Sequence, residues 1–168
     1  QHPRFYFPDG SLTLIVQGIA YRIQGSLLSL HSEHWARKLG KVEATTQTVE
    51  VLKDVYTLEM DAFMSILYPA YGPLNCLAVT TTGGWAYVLR LSTMWSCRDI
   101  RALAIEQLSD SAPPLQRLVL SRAHDVPEWR VPAYVALCLR PQALSESEAE
   151  KLAVQDVVRI MSTREAIR

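Results

Sequence analysis

His31 and His34 are the residues whose types and spacing could do chemistry: three apart on or beside one helix, two imidazoles could share a metal ion. A third ligand is not at hand, since the next histidine is His124. Cys76, Cys97 and Cys138 stand about twenty and forty residues apart. That is neither metal-ligand spacing nor a disulfide framework, so they read as small buried hydrophobes in a reducing compartment. A Cys97 nucleophile would need a base and an orienting group, and no spacing supplies either. Thr82-Gly83-Gly84 before a helix offers amide donors to an anion, but without a Lys-Ser or Lys-Thr pair it reads as a cap. The sequence therefore predicts no catalytic, cofactor-binding or metal-binding set. The reading from another class is a small enzyme centred on Cys97 or on His31 and His34, and it requires a deep polar pocket around them.

Composition narrows the classes further. Lys plus Arg number 17 and Asp plus Glu 17, a net charge of zero. Arg98, Arg101, Arg117, Arg122 and Arg130 are spread through helices and balanced by acids, which is a solvated face and no nucleic-acid track. No apolar run approaches the ~20 residues of a membrane span, and nothing reads as a signal peptide. The expected location is intracellular, nucleus or cytoplasm. Opening on Gln1 rather than Met is what a fragment of a longer protein would show.

The elements that must position these residues start with two apolar, β-branched runs, Leu12–Val16 and Ile19–Ile23, divided by Gln17-Gly18. That is a short-loop hairpin signal, and it sets Val16 opposite Ile19 and Leu14 opposite Tyr21. Alternation then gathers Leu12, Leu14, Val16, Ile19, Tyr21 and Ile23 on one face. Ser26 is expected to cap one short helix with Leu27, Leu28 and Leu30, and Ser32 a second with Trp35, Ala36 and Leu39, ended by Gly40. Val49–Leu52 reads as a third strand. A helix follows from Thr57 until Pro69, then a Pro- and Gly-containing break, Tyr68–Pro73.

The helix after Thr80–Gly84 is apolar nearly all round, which predicts a place in the middle of a domain. Residues 98 to 109 make a more amphipathic helix with Ile100, Leu103, Ala104 and Leu108 inward. Beyond the joint Asp110–Pro114 the pattern is purely helical: Leu115–His124, a rigid connector over Asp125–Pro132, a helix from Pro132 through Cys138, a capping box at Ser145 and Glu148, and a last helix with Val154, Val157, Val158 and Met161. Trp129, between prolines, reads as a wedge docking the tail onto the first domain.

Gly25-Ser26-Leu27-Leu28-Ser29-Leu30-His31-Ser32 with Trp35, then Leu52-Lys53-Asp54-Val55, Phe63 with Ile66-Leu67-Tyr68, and Val88-Leu89-Arg90-Leu91-Ser92 together resemble the BTB/POZ domain. The tail segments Arg122–Trp129, Pro132-Ala133-Tyr134 and Asp156–Ile160 are similar to BTB-domain proteins common in mushroom-forming fungi. The resemblance implies an α+β fold, a small mainly antiparallel sheet flanked by helical hairpins over residues 9–109, with an all-helical extension over 110–168. It implies a non-enzymatic protein–protein interaction module, a homodimerising scaffold or adaptor, with Phe5, Phe7, Ile15, Leu27 and Leu30 as interface candidates. A substrate adaptor of a cullin-type ubiquitin ligase is the alternative. Cullin-recruiting members often carry an apolar-x-Glu element just after the third helix, and residues 69–75 contain no Glu.

Overall fold

The computed structural model describes residues 1–41, 47–69 and 79–167. Cys76 and most of the Pro- and Gly-containing break lie outside the described residues. The described chain is mixed α+β, with a three-stranded sheet and nine α-helices. It divides into two compact units, Gln1–Glu106 and Gln107–Arg168.

In the first unit, strands β1 (Leu12–Val16) and β2 (Ile19–Ile23) pair antiparallel in the register their alternation predicts, Leu14 opposite Tyr21 and Val16 opposite Ile19. Gln17 and Gly18 both take positive φ, 47° and 80°, the two-residue turn whose twist matches that of the strands. Leu12, Leu14, Val16, Tyr21 and Ile23 are buried on one face. Strand β3 (Thr48–Leu52) lies on the other side of β1 and runs parallel to it, in the order β2-β1-β3. The sheet is therefore mixed, one antiparallel and one parallel pair, where a mainly antiparallel sheet was expected. The helical crossover between β2 and β3 is what permits the parallel pairing, since a tight turn cannot reverse the chain twice.

Helices α1 (Gly25–His31) and α2 (Glu33–Leu39) form that crossover. Ser26 does not cap α1: its N-cap is Gln24, and the Gly25 N–H donates to Ser11 Oγ at 3.1 Å. Ser32 caps α2 as expected, accepting from Trp35 N–H at 3.1 Å and donating to Trp95 O at 2.6 Å. Gly40 closes α2 in right-handed geometry, φ −64°, so no left-handed cap is used. Helix α3 (Thr57–Leu67) has Tyr56, not Thr57, at its N-cap, and the Glu59 carboxylate accepts from the Tyr56 N–H at 3.1 Å.

Helix α4 (Thr82–Met94) is capped by Thr81, whose hydroxyl accepts from Gly84 N–H at 3.0 Å. Val88, Leu89, Leu91, Ser92 and Trp95 are buried, but Tyr87 and Met94 reach solvent, so the helix is not buried all round. Helix α5 (Arg98–Ser111) likewise turns Ile100, Ala104 and Leu108 inward and leaves Leu103 partly exposed. The division between the units falls within α5.

The second unit holds α6 (Pro114–Ala123), a 3-10 turn (Pro127–Trp129), α7 (Arg130–Leu139), α8 (Glu146–Ala149) and α9 (Val154–Ile167). Leu118, Ala133, Leu137 and Ile160 form its core, with Leu115, Leu144 and Leu152 packed against them. α7 starts two residues before Pro132, because the 3-10 turn feeds straight into it. Proline is tolerated there, since the first N–H groups of a helix have no intrahelical partner. Trp129 is buried, and its indole N–H donates to Ser109 Oγ at 2.8 Å within this unit. The Ser145–Glu148 capping box forms as expected, with Arg140 on the Glu148 carboxylate. Arg140 and the Ser145 amide hold the Glu148 pKa down at about 2.

Candidate protein-binding surfaces

The chemical candidates are taken apart by the fold. His31 ends α1 and lines a cleft with Ile66, Leu67, Asp99 and Ile100, whereas His34 stands in α2 beside a different cleft with Val51, Met94 and Trp95. Among the described residues no group of His, Cys, Asp or Glu is arranged to hold a metal ion. Cys97 is fully buried with its thiol 3.8 Å from Trp95 O, and burial pushes its pKa up to about 11. A thiol held protonated is a poor nucleophile. Native protein treated with iodoacetamide near neutral pH is expected to leave Cys97 unmodified, while denatured protein reacts; peptide mapping reads the difference.

Phe5 and Phe7, proposed from sequence for an interface, are buried at 1% and 8% exposure within the first unit. Their segment lies alongside β2, where Arg22 N–H donates to Phe5 O at 3.0 Å and Phe7 N–H to Arg22 O at 2.8 Å. The Phe7 ring rests 4.9 Å from Tyr68. Spent in this way, neither ring offers surface to a partner. Ile15 and Leu27 are half-buried, and Leu30 is 77% exposed.

The same N-terminal segment is latched by His2, which is buried. Its Nδ1 accepts from the N–H groups of Phe5 (3.0 Å) and Arg4 (3.2 Å), and its Nε2 faces Asp61 Oδ1 at 3.0 Å, which also accepts from Tyr21 Oη at 2.8 Å. Burial lowers the His2 pKa below its usual value, against the opposing pull of Asp61. A depressed folded-state pKa makes the released segment the better proton acceptor. The stabilisation is therefore present above the ordinary histidine value of about 6.5 and is lost as pH falls below it. Amide exchange at Phe7 and Arg22, corrected for intrinsic rate, is expected to speed up between about pH 7.5 and about pH 5, and a His2→Asn chain should lack that dependence.

Sequence reasoning missed two exposed apolar surfaces. The first is the β3 edge of the sheet's outer face, where Thr13 on β1 is buried and Ile15 half-buried. Ile15 lies level with Ala20 on β2 and Val51 on β3, and Thr13 with Val49. Val49 and Val51 are each 59% exposed. Their alternation with Glu50 and Leu52 was readable, but which side stayed uncovered came only with the fold.

The second surface is in the second unit, a cleft of about 290 Å³ between α7 and α9. One wall is Val131, Val135 and Leu139, four residues apart on α7; the other is Arg159, Thr163 and Ile167, four apart on α9. Polar contacts hold the walls in place from behind. Asp156, buried, accepts from Arg122 Nε at 2.7 Å and from the Tyr134 hydroxyl. Burial works against its charge, but these bonds outweigh it and keep its pKa below the usual carboxylate value. Arg164, also buried, donates to the carbonyls of Leu137, Cys138, Arg140 and Pro141 at 2.6–3.1 Å, closing the C-terminus of α7. The Arg159 guanidinium stands 5.7 Å from the Tyr134 ring.

No described helix is long and apolar enough to cross a membrane. Residues 70–75, in the stretch searched for the apolar-x-Glu element, lie outside the described residues. In comparison with known proteins, the chain matches no family model and no curated protein.

Proposed function

We propose that this chain is a non-enzymatic protein–protein interaction module of BTB/POZ type, a homodimerising scaffold or adaptor. The observation that carries the reading is the row of β-branched side chains left open on the first unit, Val49 and Val51 beside Ile15, with Leu30 standing out from α1. Side chains of this kind gain free energy when a second surface removes them from water, at roughly 25 cal/mol per Å². The order of elements agrees with the resemblance: hairpin, two short helices, third strand, then helices. The expected partner is a second copy, and the balanced charge opposes no such approach.

Light scattering of the full chain at tens of micromolar is expected to give a mass above that of one chain. Lysine at both Val49 and Val51 should lower it without changing the circular dichroism spectrum. A single-chain mass at every concentration would remove the homodimer.

A further inference from the structure

α9 carries a second apolar face that the fold does not use. Val154, Val158 and Met161 recur at helical spacing and are 77%, 58% and 42% exposed, and Glu165 continues the same row one turn on. This row points away from Arg159, Thr163 and Ile167, which line the cleft with α7. One helix thus presents a ridge on one side and half a groove on the other.

Ridge and groove are both apolar, and their charges are of opposite sign. The groove is walled by Val131, Val135, Leu139 and Ile167, and its cation is Arg159. The ridge is two valines and a methionine with a carboxylate at one end. Among the described residues neither Arg159 nor Glu165 is in an ion pair. α7 and α9 run side by side in the same direction, since Tyr134 meets Asp156, Cys138 meets the Ile160 carbonyl, and Arg164 meets the end of α7. Arg159 therefore marks the end of the groove near Tyr134, and Ile167 the end near Leu139.

We propose that the α7/α9 groove takes the outer face of α9 from a second copy of this chain, the incoming helix running antiparallel to the two that form the groove. In that orientation Glu165 of the second copy meets Arg159, while its Met161 and Val158 fill the space between Val135 and Ile167. From Arg159 to Ile167 the groove spans about 12 Å, and the ridge from Val158 to Glu165 about 10 Å. The contact is heterologous: in a pair, one copy keeps a free ridge and the other a free groove, so association continues past two copies or closes into a ring. The surface is separate from the one on the first unit, and the two are tested separately.

The experiment is sedimentation velocity on full chains carrying Val49→Lys and Val51→Lys, which removes the first-unit surface. This background chain is expected to form species larger than a dimer as concentration rises. Val135→Glu in the groove, or Val158→Glu on the ridge, should each weaken association about tenfold or more. Mixed one to one, the two variants still hold one intact groove and one intact ridge, and should form a dimer that grows no further. A mixture that stays monomeric overturns the proposal, and so does a background chain that is already monomeric. If the unmodified chain dimerises while the background chain does not, the interaction-module reading stands and this inference falls.

Discussion

Replacing Trp35 with alanine is expected to cost the first unit about 3–5 kcal/mol, a large part of the ~5–15 kcal/mol that holds a typical domain folded. Trp35 is 1% exposed and meets Trp95 edge to face at 5.7 Å, and Trp95 in turn meets Phe63 at 5.0 Å. The indole packs on Trp95 at the end of α4, which in turn packs on Phe63 of α3, so alanine leaves a hole that the neighbouring rings fill only in part. The indole Nε1–H has no acceptor among the described residues. A buried donor of that kind already carries a desolvation penalty, so Trp35→Phe removes a cost together with some packing and should lose less than about 2 kcal/mol. Urea denaturation followed by amide exchange in α2 and α3 checks both. Equal losses for alanine and phenylalanine would show that ring packing is not what Trp35 supplies.

Arg164→Met is expected to destabilise the second unit by about 3 kcal/mol, and Arg164→Lys by nearly as much. The reason is geometric. The guanidinium reaches carbonyls of four residues at the end of α7, and a lysine ammonium has too few donors in the wrong plane to replace it. Methionine fills the volume but leaves those carbonyls without their donor in a buried place. The loss should appear as faster amide exchange through α7 and α9. An Arg164→Lys chain as stable as the unmodified one would contradict this role.

The hairpin was legible because its information is local: period-two alternation and a Gln-Gly turn fix register without reference to the rest of the chain. The Ser32 cap and the Ser145–Glu148 box were legible for the same reason. What sequence did not yield depended on distant neighbours. Phe5 and Phe7 fitted either a short lead-in strand or an exposed aromatic patch, and nothing near them signals that β2 receives their backbone. Ser26 had the right chemistry for a cap, yet Ser11 serves Gly25 instead. Nothing in the sequence marks Arg164, and the end of α7 buries it. The α7 wall of the groove, Val131, Val135 and Leu139, was not singled out, since a groove needs its second wall and that came with the fold.

Amide hydrogen exchange of the full chain over a dilution series, from about 1 to about 100 μM, tests most directly whether the exposed apolar faces bind protein. The expected result is protection that grows with concentration in the segments bearing those faces, α1 and β3 in the first unit and α7 and α9 in the second, with the buried cores unchanged. Exchange that is identical in every segment at every concentration would contradict it.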